Sequence, residues 1–244
     1  MRKAFVDLHL RPPIEQADKV RSLLEKSASL GYSVVGLTFP AEADKGSIEN
    51  MRKICSDVGL DLVSRVDLVP KNAKELLRTL CSVRWRFEVV AVYCNSREVA
   101  LQAAKDRRVD LLLFSPSEAG RHFFGPSEAK LASEKGAALE VNLAPLLYLE
   151  GRARISMLSV LRREVSIANS FNVPIVLSSG ATSPSMLRRP EDYAFLSYLI
   201  GLDLNYAKKA LSDNPISIVE RNRRKLSQNY VCPGVFIVKR GEDC

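Results

Sequence analysis

The chain has 244 residues, 46% of them hydrophobic and 26% charged, with a formal net charge of +8 and only two histidines. That length suits one large core, since α/β barrels of about 250 residues are routinely single domains, and the ordinary composition excludes a low-complexity or collagen-like chain. The charge is uneven: residues 1–150 carry 22 basic and 20 acidic side chains, residues 151–244 carry 14 and 8, an excess that fits a polyanionic partner.

Met1 to Asp7 lead straight into a strand broken by Asp7 and His9, and no apolar run reaches the roughly 18 residues of a membrane span, so a chain that is neither membrane-bound nor carries a secretory signal is expected. Cys55, Cys81, Cys94, Cys232 and Cys244 are odd in number, scattered and never in a Cys-x-x-Cys pair, which suits reduced thiols in the cytoplasm. Short runs of Val, Ile, Leu and Phe then alternate with helical patterns, the mark of βαβ units and a parallel sheet. Ala4 to Leu8 is the first run. Behind Pro12-Pro13 a helix carries Ile14, Ala17, Val20, Leu24 and Ala28 and stops at Gly31. Ser33 to Leu37 precedes a helix with Ile48, Met51, Cys55 and Val58; Leu60 to Leu68 precedes one with Ala73, Leu76, Leu77, Leu80 and Cys81. Phe87 to Val92, Val109 to Phe114, Ala137 to Leu143 and Pro174 to Ser178 complete seven strands, with helices near residues 97–107, 127–135 and 151–171 between them.

Residues 191–226 break the rhythm with three helical pieces, punctuated by Gly201, by Asp203 as a cap and by Asn214-Pro215. No eighth strand precedes them. The pattern therefore predicts a TIM-barrel-like α/β fold, a parallel (β/α) barrel that is irregular, with about seven strands and extra C-terminal helices; an open doubly wound sheet is the alternative. Residues 1–226 form the single barrel domain and residues 227–244 an appendage whose Val235 to Val238 is either an added strand or a flexible tail.

Chemistry in such folds sits at the C-terminal strand ends, here Asp7, His9, Thr38, Asp67, Asn95, Ser115, Asn142 and Ser178-Ser179-Gly180. No His-Glu-x-x-His, Gly-x-Ser-x-Gly or phosphate-loop motif occurs. Strand alternation places Asp7 and His9 on one face, as a hydrogen-bonded pair or as part of an acid/base or metal site, though two ligands do not complete a hydrolytic metal centre. The Ser178-Ser179-Gly180 turn is either a phosphate grip or a plain strand-to-helix turn. Among the basic clusters, Arg121-His122-Phe123-Phe124 combines a cation, an imidazole and two aromatics in one Gly-flanked loop, a mixture suited to phosphate and unpaired bases. The candidate RNA contacts are Arg121, His122, Lys130, Arg152, Arg154, Ser178, Ser179, Arg188 and Arg189; no catalytic and no metal-binding residue is assigned.

Phe5-Val6-Asp7-Leu8-His9, Gly31-Tyr32-Ser33-Val34-Val35-Gly36, Asp110-Leu111-Leu112-Leu113, Leu143-Ala144-Pro145-Leu146-Leu147-Tyr148, Val173-Pro174-Ile175-Val176-Leu177-Ser178-Ser179 and Arg189-Pro190-Glu191-Asp192 follow one another in an order and spacing that resembles the ribonuclease P protein component 3 (p30) family. The resemblance spans roughly residues 3–226 and implies a barrel of about seven strands that supports a catalytic RNA in maturing the 5′ end of precursor transfer RNA. It implies that the RNA subunit uses Mg2+ while the protein binds no cofactor. It also implies the component 2 protein and other ribonuclease P proteins as partners. The family is similar in turn to metal-dependent phosphoesterases with Asp-x-His-x-His on the first strand. Asp7 and His9 match that motif but Arg11 stands at the second histidine. A phosphoesterase using Asp7 and His9, together with Asp67 and Glu140 near strand ends, is the alternative function.

Overall fold

The structure, a computed structural model, describes residues 4–114, 123–232 and 235–237. Seven strands run in chain order, all parallel: β1 (Phe5–Leu10), β2 (Tyr32–Phe39), β3 (Asp61–Leu68), β4 (Val89–Tyr93), β5 (Leu111–Leu113), β6 (Ala138–Asn142) and β7 (Ile175–Ser178). Between them lie α1 (Ala17–Ser29), α2 (Lys45–Asp57), α3 (Ala73–Val83), α4 (Arg97–Lys105), α5 (Pro126–Lys135), the single turn α6 (Pro145–Tyr148) and the long α7 (Gly151–Ser170). After β7 come α8 (Pro190–Leu196), α9 (Leu204–Ala210) and α10 (Asp213–Leu226).

Local chemistry sets the helix starts. Side chains of Asp44, Asn72 and Ser96 accept the backbone N–H of Ser47, Glu75 and Val99, satisfying donors that the first turns of α2, α3 and α4 leave orphaned. Asp203 does the same for α9, as its position predicts, and Gly201 closes the preceding turn at φ +90°. The first helix starts at Ala17 rather than behind Pro13, so Ile14 lies in the turn ahead of it.

Strand alternation sorts the core into two layers. Val6, Leu8, Val63, Val89, Ala91, Leu111, Leu113, Ala138 and Val176 point into the barrel, while Val35, Leu37, Leu62, Val66, Val90, Val92, Leu139 and Leu177 face the helices. One helix serves the inside: α10 lies across the N-terminal strand ends, and Ile216, Ile218 and Val219 stop the foot of the barrel.

The ring is nearly closed, which settles barrel against open sheet. Where an eighth strand would stand, β1 and β7 meet through a parallel bridge from Leu10 to Ala181 and the Arg11 N–H on the Ala181 carbonyl at 2.8 Å. The Val6 N–H turns to the Leu211 carbonyl, also at 2.8 Å. The Asp7 carboxylate adds a stitch, one oxygen accepting the Ser179 N–H and the His9 N–H at 3.1 Å each. Its other oxygen is buried without a partner, and burial pushes this carboxyl above the usual range against the pull of those hydrogen bonds.

The tail forms a small antiparallel ribbon, β8 (Tyr230–Cys232) with β9 (Val235–Phe236), separate from the barrel sheet. Val238 lies outside the described residues.

Candidate functional site

Between Asp7 and Leu10 the first strand carries one residue more than its partner between Val35 and Leu37. This bulge rides over Gly36, where a Cβ would sit 2.3 Å from the Leu8 carbonyl oxygen. Its effect is to change the side-chain parity: Leu8 points inward, Leu10 outward, and the His9 ring joins Leu8 inside. Simple alternation had placed Asp7 and His9 on one face. The bulge overturns that expectation, leaving Asp7 on the helix-facing side with Tyr32 and Tyr193 and sending His9 into the barrel mouth.

There His9 Nδ1 lies 2.9 Å from Asn142 Oδ1 and Nε2 lies 2.9 Å from Asp67 Oδ2. At the centre of the group is Arg65, a residue that the motif search does not single out. Its Nε donates to Asp67 at 2.6 Å, its two terminal nitrogens donate to the two Glu140 oxygens at 2.6 and 2.7 Å, and one of them also donates to the Leu8 carbonyl at 2.9 Å. His9, Arg65 and Glu140 are buried, and Asp67 and Asn142 nearly so. Burial works against charge on both partners, yet Arg65 and the His9 ring hold the Asp67 carboxyl well below its usual range, and Asp67 with Glu140 hold Arg65 firmly protonated.

The arrangement is a filled socket. A hydrolytic metal would need the same carboxylates and imidazole, but a bidentate guanidinium already takes Glu140 and one oxygen of Asp67, and Asp7 is on the wrong face. Among the described residues no group of three or more His, Cys, Asp or Glu side chains is arranged to hold a metal ion. The donor set therefore does not fit a phosphoesterase metal, and nothing in the geometry favours that reading. Beside the socket, between β4, β6, α6 and α7, opens a cavity of about 500 Å³ walled by Arg11, Tyr93, Phe114, Asn142, Tyr148 and Met157.

Of the candidate RNA contacts, Arg152 and Arg154 are exposed in the first turn of α7, and Arg188 and Arg189 are exposed just ahead of α8. The first pair follows the C-terminal end of β6, at the mouth; the second lies ten residues beyond β7, where the Arg188 carbonyl accepts the hydroxyl of Tyr32 at the start of β2 at 3.1 Å, so the fold does not bring the two pairs to one end. Arg154 Nε donates to the Leu149 carbonyl and Arg188 to the carbonyls of Ser185 and Leu187 at 2.8 and 2.7 Å, which orients these side chains without neutralising them. Lys130 is exposed on α5. Ser178 and Ser179 are buried: the Ser179 hydroxyl donates to the His9 carbonyl at 3.4 Å and accepts the Ala181 N–H at 3.0 Å, and Gly180 turns the chain at φ +70°. Arg121 and His122 lie outside the described residues.

Part of the basic excess is structural. Arg221 donates to Asp110 at 2.9 Å and Arg223 to Asp61 at 2.6 and 2.8 Å and to Glu88 at 2.6 Å, which pins α10 under the barrel.

Comparison with known proteins fits this architecture. A family model described as RNase P subunit p30 matches residues 4–227. The chain belongs to the RNase P subunit p30 family. Among its relatives, Ribonuclease P protein component 3 of Methanosarcina mazei is 30% identical, covering 98% of this chain and 97% of its own. The same component from Methanococcoides burtonii is 29% identical over 96% and 94%. Among solved structures, a chain of the cryo-EM structure of archaeal Ribonuclease P with mature tRNA superposes with a TM-score of 0.82 at 24% identity, over 98% of this chain and 100% of that one. Aspergillus niger ochratoxinase shares the fold more loosely, with a TM-score of 0.58 at 10% identity over 89% and 71%. These last two speak to the fold alone.

Proposed function

We propose that this chain is the component 3 protein of a ribonuclease P ribonucleoprotein, a subunit without an active site of its own that binds and supports the catalytic RNA in maturing the 5′ end of precursor tRNA. The observation that carries the reading is the end-to-end match to proteins named Ribonuclease P protein component 3. The filled socket supports the non-catalytic part, since Arg65 commits the mouth carboxylates to ion pairs. In this reading Mg2+ serves the RNA, the protein holds no cofactor, and the component 2 protein and other ribonuclease P proteins are its neighbours. Arg121, Lys130, Arg152, Arg154, Arg188 and Arg189 supply cations for RNA phosphates and His122 an imidazole hydrogen-bonding group, while Ser178 and Ser179 act through the mouth turn rather than by direct contact. The place of work is the cytoplasm; no helix among the described residues is long and apolar enough to cross a membrane.

The test is to tag the protein in its native cells, purify it at moderate salt and sequence the RNA that accompanies it. One structured RNA strongly enriched, with precursor tRNA cleavage in the eluate, is the expected result. Protein recovered free of RNA overturns the reading.

A further inference from the structure

The one tryptophan of the chain, Trp85, stands in the link from α3 to β4, at the foot of the barrel and so at the opposite end from the mouth. It is 65% exposed and contributes nothing to either core layer. An exposed indole offers a large, rigid contact face with a polar edge, and such side chains are enriched at interfaces. Around it lies a cavity of about 380 Å³ lined by Lys45, Arg52, Arg86, Glu88 and Arg223. A second cavity of about 500 Å³, lined by Arg223, Arg224, Asn229 and Ile237, shares Arg223 and Ser227 with the first, so the two form one groove along the end of α10.

Charge in this groove is unequal once the ion pairs are assigned. Glu88 is taken by Arg223 at 2.6 Å and Arg52 at 3.3 Å, and Glu49 faces Arg52 at 3.6 Å. Three cations remain. Lys45 is exposed, and Arg86 is anchored on the carbonyls of Ala41 and Ala43, which orient it and leave its charge intact. Among the described residues Arg224 pairs with Glu220, at 3.7 Å with both side chains mostly in solvent, a pairing that water screens.

An exposed indole with cations spaced along a groove is the arrangement by which proteins hold unpaired RNA: cations follow the phosphates and the ring stacks on a base. We infer that this groove, from Trp85 past Arg86 and Lys45 to Arg224, is a site for an unpaired RNA segment, with the Trp85 indole stacking on one base. The inference rests on the RNA-binding reading above and adds a second contact region to it, on the flank of the barrel between the start of α2, the α3–β4 link and the end of α10.

Because Trp85 is the single tryptophan, its fluorescence reports on this site alone. The experiment titrates the full chain with an unstructured octamer of adenylate RNA at low salt, reading emission and, with a labelled octamer, anisotropy. Saturable quenching is expected. Trp85→Ala should weaken octamer binding roughly ten-fold and Trp85→Phe should restore most of it. The wild-type quenching stands as a test even if Trp85→Ala folds poorly. Octamer binding of equal strength in Trp85→Ala, with silent emission in the wild type, overturns the stacking site while leaving the RNA-binding reading in place. Failure of both the octamer and the co-purified RNA to bind the chain overturns the reading beneath it. Emission that answers only to added ribonuclease P proteins assigns the groove to a protein neighbour and also overturns the inference.

Discussion

Removing the Arg65 guanidinium leaves two carboxylates, Asp67 and Glu140, buried together with no cation between them. Breaking such a group from one side costs about 3–5 kcal/mol, so Arg65→Met should lower the urea midpoint sharply, whereas Arg152→Met, at an exposed site, should leave it nearly unchanged. A stable Arg65→Met protein would refute the role given to this ion-pair group. The carboxyls also differ in how pH acts on them. Asp67 is held below its unfolded value, so its contribution is complete above the ordinary Asp range and disappears only in strong acid. Glu164 is the reverse: burial, partly countered by Arg163, pushes it up to about 8. Its unfolded form ionises near 4.3, so wild-type stability should fall between about pH 5 and 8 by an amount on the order of a few kcal/mol. Glu164→Gln should flatten that slope in denaturation curves taken across the same range, and a slope unchanged by the substitution would refute the assignment.

At the scale of elements, the β1 bulge depends on the missing side chain of Gly36. Gly36→Ala drives a Cβ into the Leu8 backbone, which is not a yielding side-chain tip but a carbonyl shared with Arg65. The expected cost is at the upper end of overpacking, about 3 kcal/mol or more, with a matching loss of melting temperature; a neutral Gly36→Ala would show that the bulge slides freely. This element also explains what the sequence conveyed and what it withheld. Seven strands, their helices, the Asp203 cap and the Gly201 stop were legible because each depends on local periodicity and turn chemistry. The face of His9 was not, because a bulge is a property of two strands in register. Arg65 was hidden for a related reason: a lone Arg two positions before Asp67 signals nothing until Glu140, 75 positions later, is brought opposite it. The tail resisted too, since two short apolar runs do not say whether they join the sheet or pair with one another.

For the whole molecule, counting basic residues overstates the charge available to RNA. Arg221 and Arg223 clamp α10 to Asp110, Asp61 and Glu88, whereas Arg152, Arg154, Arg188 and Arg189 stand in solvent. Two kinds of variant should therefore separate. Arg152→Glu with Arg154→Glu should weaken binding to the co-purified RNA and flatten the dependence of log affinity on log salt by roughly one unit per lost phosphate contact, with little change in melting temperature. Arg223→Ala should lower the melting temperature first. If instead the mouth variants melt early and bind RNA normally, the division between binding and clamping cations is wrong.

The seam between the first and last barrel strands also has a consequence for how the molecule is made. Its stitch joins Asp7 to the Ser179 N–H, a separation of 172 residues, and the stopper at the foot, α10, emerges later still. At about 5–20 residues per second, a ribosome needs on the order of ten to thirty seconds between these two points. For that interval the nascent chain carries an incomplete ring whose first strand has an unpaired edge and whose interior is open at the base. Chains stalled or truncated before α9 should be captured by chaperones or aggregate, while those released after α10 should resist protease, which makes the end of α10 the commitment point in biogenesis.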